Sequence, residues 1–323
     1  MASSLAKIGI LSIGDMGVGI AKLLIANGFT VATSGKGRSN DTIERAKQAN
    51  VDVLKTDVEL ADSCAVILSV VPPRDAAATA ERIVDALVGT TQRAQPLYFA
   101  DLNAVAPSTC RTMAALIEKS RAPIRFVDGA IIGGPPSPRK EGGSGSGDGG
   151  WDRPSIPTSG PHKLSDIPGF GEQLSAALNV RHISADVGAA SGLKMCFAST
   201  TKGFTSIAIQ SFTTAQRLGV LGELRHELET FSPAALRQAE RGVVGMAPKA
   251  YRWVREMEEI ALMFEQDGGF AQDSFRGAAK VYKAVAESEL GQEKIGKRKR
   301  GTTVEDMATV LVEGMDKRKK KNE

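Results

Sequence analysis

Apolar residues in the first half of the chain form short runs that alternate with longer segments of helical periodicity. Runs of the length expected for buried strands occupy residues 8–13, 29–34, 51–54, 66–71, 97–101, 124–127 and 155–159. Between them, helices are predicted after Gly17 and over residues 42–48, 107–119 and 165–178. Strands that alternate with helices in this way predict an α/β domain with a doubly wound parallel sheet.

From residue 187 onward the strand-like runs disappear and helical periodicity continues to the end. A long helix is predicted over residues 188–217, followed by helices at 221–229, 233–241, 248–265, 271–290 and 304–316. We therefore expect an α/β domain over residues 1–186, an all-α C-terminal domain over 187–316 and a basic tail over 317–323. A Pro- and Gly-rich stretch at about residues 135–160, with GGSGSGDGG at 142–150, predicts a flexible insert in the first domain.

A glycine turn directly after the first apolar run predicts a nucleotide site. The turn comprises Ser12, Ile13, Gly14, Asp15, Met16 and Gly17. Gly14 lets the backbone approach a pyrophosphate, Gly17 lets the following helix pack on the strand, and the helix start offers N–H groups to the anion. Ser12 replaces the first glycine of the G-x-G-x-x-G pattern, but the order strand, turn, helix, strand supports a Rossmann-type cofactor domain.

The end of the second predicted strand indicates which dinucleotide is bound. NAD sites carry an acidic residue about 20 positions after the glycines. This chain has Ser34 there and no Asp or Glu between residues 17 and 40. Lys36, Arg38 and Ser39 follow, and their charges and hydroxyl group suit a 2′-phosphate. A solvated basic turn is the alternative, but in this context we predict that the cofactor is NADP(H).

Composition argues against a nucleic-acid-binding or membrane protein. The 323 residues carry a net charge of +4, and residues 294–323 hold ten Lys/Arg against five Asp/Glu, so the remainder is nearly neutral. No apolar run approaches the roughly 18 residues of a membrane span. The three cysteines lack metal-binding spacing, and His162, His182 and His226 are scattered. We expect a cytoplasmic protein without a metal site, a nucleic-acid partner or a membrane association.

Lys194 is the candidate for acid–base chemistry. It lies in a predicted helix among small and apolar neighbours, AASGLKMCFA at residues 189–198, and lysine is seldom fully buried without a partner or a function. Burial would lower its pKa towards the range useful for proton transfer, although a solvated helix face is the alternative. Thr201, Lys202 and the pair Gly133–Gly134 are candidates for binding substrate oxygens.

Taken in order, these segments resemble the β-hydroxyacid dehydrogenase superfamily, which includes 6-phosphogluconate and 3-hydroxyisobutyrate dehydrogenases. Residues 8–21 resemble its cofactor fingerprint, and residues 66–73 resemble its strand-plus-proline segment beside the nicotinamide. Residues 101–107 are similar to its D-x-[SN]-x-x-x-P segment, residues 128–134 to its substrate motif, and residues 188–198 to its catalytic helix.

The resemblance implies roles for individual residues. Lys194 takes the place of the catalytic lysine, which is the general acid and base on the substrate oxygen while the nicotinamide exchanges a hydride. Val71, Pro72 and Asn103 are expected to border the nicotinamide. Residues expected to contact the substrate are Ile132, Gly133, Gly134, Ala198, Thr201 and Lys202. Ile132 and Ala198 stand where the family has serine and asparagine, which implies a less polar substrate end.

The C-terminal half resembles a poorly characterised branch, described as phosphogluconate-dehydrogenase-like with a C-terminal domain of unknown function. The likeness rests on residues 193–196, 201–203 and 251–260. Its relatives commonly form dimers, so a homodimer through the helical domain is expected. The resemblance predicts an NADP(H)-dependent oxidoreductase for a CH–OH/carbonyl substrate, such as a hydroxy acid or sugar acid. An imine-reducing enzyme and a catalytically silent NADP(H)-binding sensor or scaffold are the alternatives.

Overall fold

The chain divides between Lys194 and Met195 into two units, Met1–Lys194 and Met195–Glu323. A computed structural model describes residues 4–88, 93–139, 150–293 and 298–322. The sequence predicts the domain boundary at residues 186/187, before the helix Ala189–Ala198, whereas the division of the units falls within that helix.

The first unit is built around a sheet of eight strands, counted over the described residues. The described part of this unit contains β1 (Lys7–Leu11), β2 (Thr30–Ser34), β3 (Asp52–Leu54), β4 (Val66–Ser69), β5 (Leu97–Asp101), β6 (Ile124–Gly129), β7 (Ser137–Pro138), β8 (Trp151–Asp152), β9 (Ile156–Ser159) and β10 (Val180–Ser184), of which all but β7 and β8 belong to this sheet. The helices are α1 (Asp15–Ala26), α2 (Asn40–Gln48), α3 (Asp57–Ser63), α4 (Ala76–Leu87), α5 (Pro107–Ser120) and α6 (Gly171–Leu178). The sheet order is β10-β9-β6-β5-β4-β1-β2-β3, parallel except for the pair β6–β9, and β7 pairs with β8 separately.

Apolar side chains cover both faces of this sheet. Ile8 and Ile10 of β1 belong to a buried cluster that includes residues of α1 and α6. Leu11 belongs to the opposite cluster, with residues of α3, α4 and α5. Strands that are buried on both faces consist of nearly continuous apolar runs, which explains why the sequence pattern locates them. The predicted doubly wound α/β sheet is confirmed.

Two predictions for the C-terminal part of this unit are wrong. The helix predicted over residues 165–178 begins only at Gly171, after a 3₁₀ turn at Leu164–Asp166. Pro168 lacks a backbone N–H and Gly169 has a φ of +88°, and neither suits a helix interior. Strand β10 is absent from the prediction, because its half-polar sequence VRHIS has no buried run and its identity depends on pairing with β9.

The insert predicted at about residues 135–160 has regular structure at both ends, and its last strand lies where the sequence predicts one, over residues 155–159. Ser137 of β7 pairs with Asp152 of β8 in an antiparallel ladder. Strand β9 belongs to the main sheet, where it pairs with β6 and β10. The Gly-rich centre of the insert, residues 140–149, lies outside the described residues.

All regular elements that the structure describes in the second unit are helical. It contains the end of α7 (Ala189–Ala198), followed by α8 (Phe204–Arg217), α9 (Leu221–Phe231), α10 (Pro233–Met246), α11 (Ala250–Gln266), α12 (Asp273–Ala286) and α13 (Val304–Asn322). Buried core side chains include Phe212, Met257, Ile260, Tyr282 and Leu311. None of the helices in the described ranges is both long and apolar enough to cross a membrane. The predicted fold class, a Rossmann-type sheet followed by helices, is confirmed.

The single helix predicted over residues 188–217 is interrupted by a π-helical turn at Ser199–Gly203. The Thr201 hydroxyl donates to the Phe197 carbonyl oxygen at 3.1 Å, and such a bond competes with the regular helical pattern. Gly203 also contributes little to helix stability.

Other helix ends also differ from the prediction: the helix predicted over residues 233–241 continues to Met246. The helix predicted over residues 271–290 ends at Ala286, before a 3₁₀ turn at Glu289–Gln292. Helix α13 continues past the predicted end at residue 316 to Asn322, since Lys and Arg are good helix formers. The basic tail is therefore an extension of the last helix.

Gly17 is expected to be essential for stability, because a Cβ at this position would lie 2.0 Å from the Ser12 carbonyl oxygen. We expect Gly17→Ala to lower the free energy of unfolding by about 1–3 kcal/mol or more, as overpacking does. Urea denaturation measures the change. Gly14→Ala is the matched control, since its Cβ would meet no heavy atom within 4 Å. A loss below about 1 kcal/mol is expected there, and equal losses for both variants would contradict the argument.

Candidate functional site

The predicted glycine loop connects β1 to α1. Helix α1 begins at Asp15 with Gly14 as its N-cap, so Asp15 and Met16 belong to the first helical turn and not to a free loop. A Cβ on Gly14 would project into space without protein atoms within 4 Å, whereas one on Gly17 would strike the Ser12 carbonyl oxygen. The helix start is thus open to an anion, and the loop closes tightly behind it.

Polar and basic residues collect at the end of β2. The Ser34 hydroxyl is buried and has no hydrogen-bond partner in the described part of the chain. Lys36 is exposed and Arg38 half-buried, and within the described residues no carboxylate pairs with either cation. Ser39 is the N-cap of α2, where its Oγ accepts from the Thr42 N–H at 3.4 Å. A strand end with an unpartnered hydroxyl, followed in the sequence by two cations that pair with no carboxylate of the described residues, suits a phosphate group.

Arg45 makes a contact with the glycine loop that the sequence does not reveal. From α2, its Nη1 donates to the Ile13 carbonyl oxygen at 3.0 Å, across 32 residues of sequence. The guanidinium therefore connects the glycine loop to the helix that follows the basic turn. No local spacing signals such a bond, because it depends on how α2 packs beside β1.

The carboxyl ends of β4 and β5 are joined by Asn103. Its Oδ1 accepts from the Val71 N–H at 2.7 Å, and its Nδ2 donates to Ser69 Oγ at 3.0 Å and to Asp101 Oδ1 at 2.5 Å. Burial raises the pKa of the Asp101 carboxyl to about 7. The structure thus brings the predicted residues Val71 and Asn103 together, with Pro72 next to Val71, and adds Ser69 and Asp101, which are not among the predicted site residues.

Asp128, at the end of β6, holds the start of α7. Its fully buried carboxylate accepts hydrogen bonds from the hydroxyls of Ser159 (2.7 Å) and Ser191 (2.6 Å). It also accepts from the backbone N–H groups of Gly188 (2.9 Å), Ala190 (3.2 Å) and Ser191 (3.3 Å). These N–H groups lie at a helix N-terminus, where a negative charge is favourable. The strand end and the predicted catalytic helix are thereby fixed to each other.

Lys194 stands one and a half turns further along α7. Its Nζ donates to the Ile131 carbonyl oxygen at 2.7 Å, and its side chain is half-buried, less than the sequence predicts. Ile131 directly precedes Ile132, Gly133 and Gly134. Gly133 has a φ of +132°, which favours glycine, and a Cβ on Gly134 would meet no heavy atom within 4 Å. The structure therefore brings Lys194 and the predicted substrate turn together.

The other predicted substrate residues belong to the second unit. Ala198 is buried, and the Thr201 hydroxyl is bonded to carbonyl oxygens of its own helix. The Lys202 ammonium forms an ion pair with Glu256 and lies 4.8 Å from the centre of the Trp253 ring. Thr201 and Lys202 thus already have partners within this unit, and their binding of substrate stays a prediction.

Nothing in the described ranges supports a metal site or a nucleophilic thiol. No group of three or more His, Cys, Asp or Glu side chains there is placed to hold a metal ion. Cys64, Cys110 and Cys196 are free, and the first two are buried. Burial raises the pKa of the Cys64 thiol to about 11 and that of Cys110 well above its ordinary value, so these thiols stay protonated and are poor nucleophiles.

Comparisons with known proteins agree with this arrangement. Residues 7–91 match the family model described as NADP oxidoreductase coenzyme F420-dependent, and residues 215–285 match a domain of unknown function, DUF1932. An uncharacterised 28.5 kDa protein from Methanothermus fervidus is 27% identical over 69% of this chain and 76% of its own length.

Two solved structures extend the likeness to nearly the whole chain. One is a conserved protein of unknown function whose structure is described as similar to 3-hydroxyacid dehydrogenases. It is 26% identical, covers 87% of this chain and 97% of its own, and has a TM-score of 0.58. The other, the Mycobacterium tuberculosis 3-hydroxyisobutyrate dehydrogenase, shares the fold at 16% identity, with coverage of 95% and 98% and a TM-score of 0.61. The resemblance predicted from the sequence is confirmed: family models match the N-terminal cofactor segment and the C-terminal domain of unknown function, and the solved structures that the chain resembles are 3-hydroxyisobutyrate dehydrogenase-like.

Proposed function

We propose that this protein is an NADP(H)-dependent oxidoreductase that interconverts a carbonyl and an alcohol, with Lys194 as general acid and base. The observation that carries the proposal is the position of the Lys194 ammonium, which donates to the Ile131 carbonyl oxygen at 2.7 Å. This carbonyl directly precedes the turn at Ile132, Gly133 and Gly134. A lysine held beside such a turn, in a domain with a nucleotide-binding loop, suits proton transfer next to a bound cofactor.

The pyrophosphate of the cofactor would lie at the start of α1. Gly14 leaves the space, the N–H groups of Asp15, Met16 and Gly17 would donate to the phosphate oxygens, and Ser12 and Ile13 would form the wall of the loop. The positive end of the helix dipole favours this placement.

Specificity for NADP(H) would come from the end of β2. Lys36 and Arg38 would pair with the 2′-phosphate, and Ser39 would lie beside it. The buried, unpartnered hydroxyl of Ser34 supports this proposal, because a buried polar group without a partner is costly and a ligand oxygen would satisfy it. An acidic residue at position 34 would repel the phosphate.

The nicotinamide would lie against Val71, Pro72 and Asn103. The hydrogen bonds of Asn103 to Val71 and Ser69 support this, since they hold the two strand ends in fixed positions. When bound, the nicotinamide supplies or accepts the hydride. On reduction of the substrate, Lys194 would give a proton to the substrate oxygen, and on oxidation its neutral amine would take the proton back.

The substrate class we propose is a hydroxy acid or sugar acid with a partly apolar end. N–H groups of Gly133 and Gly134 are suited to an anionic group, whereas Ile132 and Ala198 supply apolar contacts. Thr201 would contribute a hydroxyl and Lys202 a charge that Glu256 already offsets. The apolar character of Ile132 and Ala198 also favours an imine as a second candidate substrate.

We also propose that the protein acts as a homodimer in the cytoplasm. Large apolar side chains are exposed on the helical unit, notably Ile207 (59%), Leu218 (69%) and Phe231 (79%). Covering them in a symmetric contact would remove apolar surface from water. The free cysteines suit a reducing compartment.

Lys194→Met is expected to reduce kcat by about 10²- to 10⁴-fold, the usual contribution of a general acid or base. Binding of NADPH should be unchanged, because the cofactor phosphates are held elsewhere. The measurement is NADPH oxidation and NADP⁺ reduction with a panel of hydroxy acids, sugar acids, aldehydes and imines, with cofactor binding followed by thermal shift.

Lys119→Met, at an exposed position of α5, is the matched control and should retain full activity. If Lys194→Met kept wild-type turnover, the acid–base role would be wrong. If wild-type protein bound NADPH tightly but turned over no member of the panel, the sensor or scaffold alternative would be favoured.

Substituting both cations of the basic turn, Lys36→Ala with Arg38→Ala, is expected to weaken NADPH binding by at least about tenfold. Each charge-assisted hydrogen bond contributes about 1.5–3 kcal/mol, and the 2′-phosphate would lose two cations. NADH provides the internal control, since it lacks this phosphate and its affinity should stay the same. Isothermal titration with both cofactors measures the ratio, and an equal loss for NADH would refute the assignment.

Asp128→Asn is expected to lower turnover through the position of Lys194, because the capping charge of α7 would be lost. The amide keeps one acceptor oxygen, so the free energy of unfolding should fall by about 1–3 kcal/mol without loss of the fold. We expect kcat to fall while the affinity for NADPH stays constant. Asp186→Asn, at an exposed position, is the control. A parallel loss of NADPH affinity would indicate general damage to the sheet.

A further inference from the structure

A cavity of about 520 Å³ lies between α11 and α12 of the second unit. None of the predicted cofactor or substrate residues lines it. We call it the α11–α12 groove, and the residues that line it include Val254, Leu262, Ala279, Arg276, Lys280 and Lys283. Its volume is within the range of small-molecule sites, which is about 300–1,000 Å³.

One wall of the groove is a row of cations on α12. Arg276, Lys280 and Lys283 follow one another at spacings of four and three residues, so they share one face of the helix. Like charges at these spacings destabilise a helix. Nε of Arg276 donates to the Gln272 side chain, and Lys283 lies 3.8 Å from Glu287. Within the described residues, no carboxylate is paired with Arg276 or Lys280.

The opposite wall, on α11, does not neutralise this row. Arg255 donates to Glu258 at 3.2 Å and to Glu259 at 2.7 Å, so one guanidinium forms ion pairs with both carboxylates that line the groove. Glu259 is almost fully buried, with 2% of its side chain exposed. The four cations and two carboxylates of the lining leave a net charge of +2.

The same cavity has an apolar side. Val254 and Leu262 of α11 and Ala279 of α12 line it between the charged groups. A free inorganic ion would gain nothing from these side chains. An organic molecule would bury apolar surface against them.

We propose that the α11–α12 groove binds a small organic anion. Its carboxylate or phosphate contacts Arg276, Lys280 and Lys283, and its apolar part packs on Val254, Leu262 and Ala279. An anion at this place relieves the repulsion between Arg276 and Lys280, with which no carboxylate of the described residues is paired. The site lies in the domain of unknown function and does not depend on the oxidoreductase activity proposed above.

The test uses isothermal titration of the full-length protein with naphthyl phosphate, with naphthol as the uncharged analogue and inorganic phosphate as the ion alone. We expect naphthyl phosphate to bind more tightly than either of the others and to bind more weakly as salt is added. The double variant Arg276→Gln/Lys280→Gln should weaken its binding by at least about tenfold, because two charge-assisted contacts are lost.

A control variant removes the same charge from exposed positions outside the groove, Lys119→Gln/Arg237→Gln, and should bind the probe as the wild type does. The groove variant should fold, with an unchanged or higher melting temperature, since like-charge neighbours are removed. The proposal is overturned if naphthol binds as well as naphthyl phosphate or if the groove variant binds it as tightly as the control. Competition by NADPH, or the absence of binding, would overturn it as well.

Discussion

A buried carboxylate anchors the helix that carries Lys194, the residue that we propose as the general acid and base. Asp128 lies at the end of a central strand with none of its surface exposed, and it accepts hydrogen bonds from the first N–H groups of α7 and from two serine hydroxyls. A charge in such a position is stable only because these donors replace water. The consequence is a rigid link between the sheet and the helix that carries Lys194. The Ile131 carbonyl, three residues beyond Asp128, then accepts from the Lys194 ammonium.

Polar side chains are also hydrogen-bonded to one another along the carboxyl edge of the sheet. The strands are apolar through their length, and polar side chains gather where they end, at Ser34, Ser69 and Asp101. Most of these groups satisfy one another: Asn103 alone joins Ser69, Asp101 and the backbone of Val71. Ser34 is the exception, because its buried hydroxyl has no hydrogen-bond partner in the described residues; Lys36 and Arg38 follow it in the sequence. The groups around Asn103 are hydrogen-bonded to one another, which suits them to hold a ring in place. The end of β2, with the Ser34 hydroxyl and the basic turn, is suited to a phosphate.

Charged side chains of the helical unit occur in two kinds of environment, one in which they are paired and one in which some of them are not. The Lys202 ammonium is paired with Glu256 and lies on Trp253, and Tyr282 donates to the Lys202 carbonyl oxygen beside the π-helical turn. Each of these charges has a partner, so this cluster stabilises the turn after α7. In the α11–α12 groove Arg255 is paired with Glu258 and Glu259, and Lys283 lies 3.8 Å from Glu287, whereas no carboxylate of the described residues pairs with Arg276 or Lys280. A paired cluster stabilises a fold, whereas cations that lack a carboxylate partner in a cavity are suited to an anionic ligand.

Much of this architecture was determined by sequence alone. The buried strands are continuous apolar runs, and the glycine turn must lie between the first strand and helix, so both follow from local spacing. Local spacing also located Lys194 and the absence of an acidic residue near Ser34. Tertiary structure decided the rest. Residues 180–184 form a strand because they pair with β9. The predicted long helix is interrupted by a π-helical turn that contains Thr201 and Gly203. Helix α6 begins later than predicted, after Gly169 with its positive φ. Arg45 reaches the glycine loop across 32 residues and Lys194 reaches Ile131 across 63. Such bonds depend on how elements pack, and no periodicity encodes them.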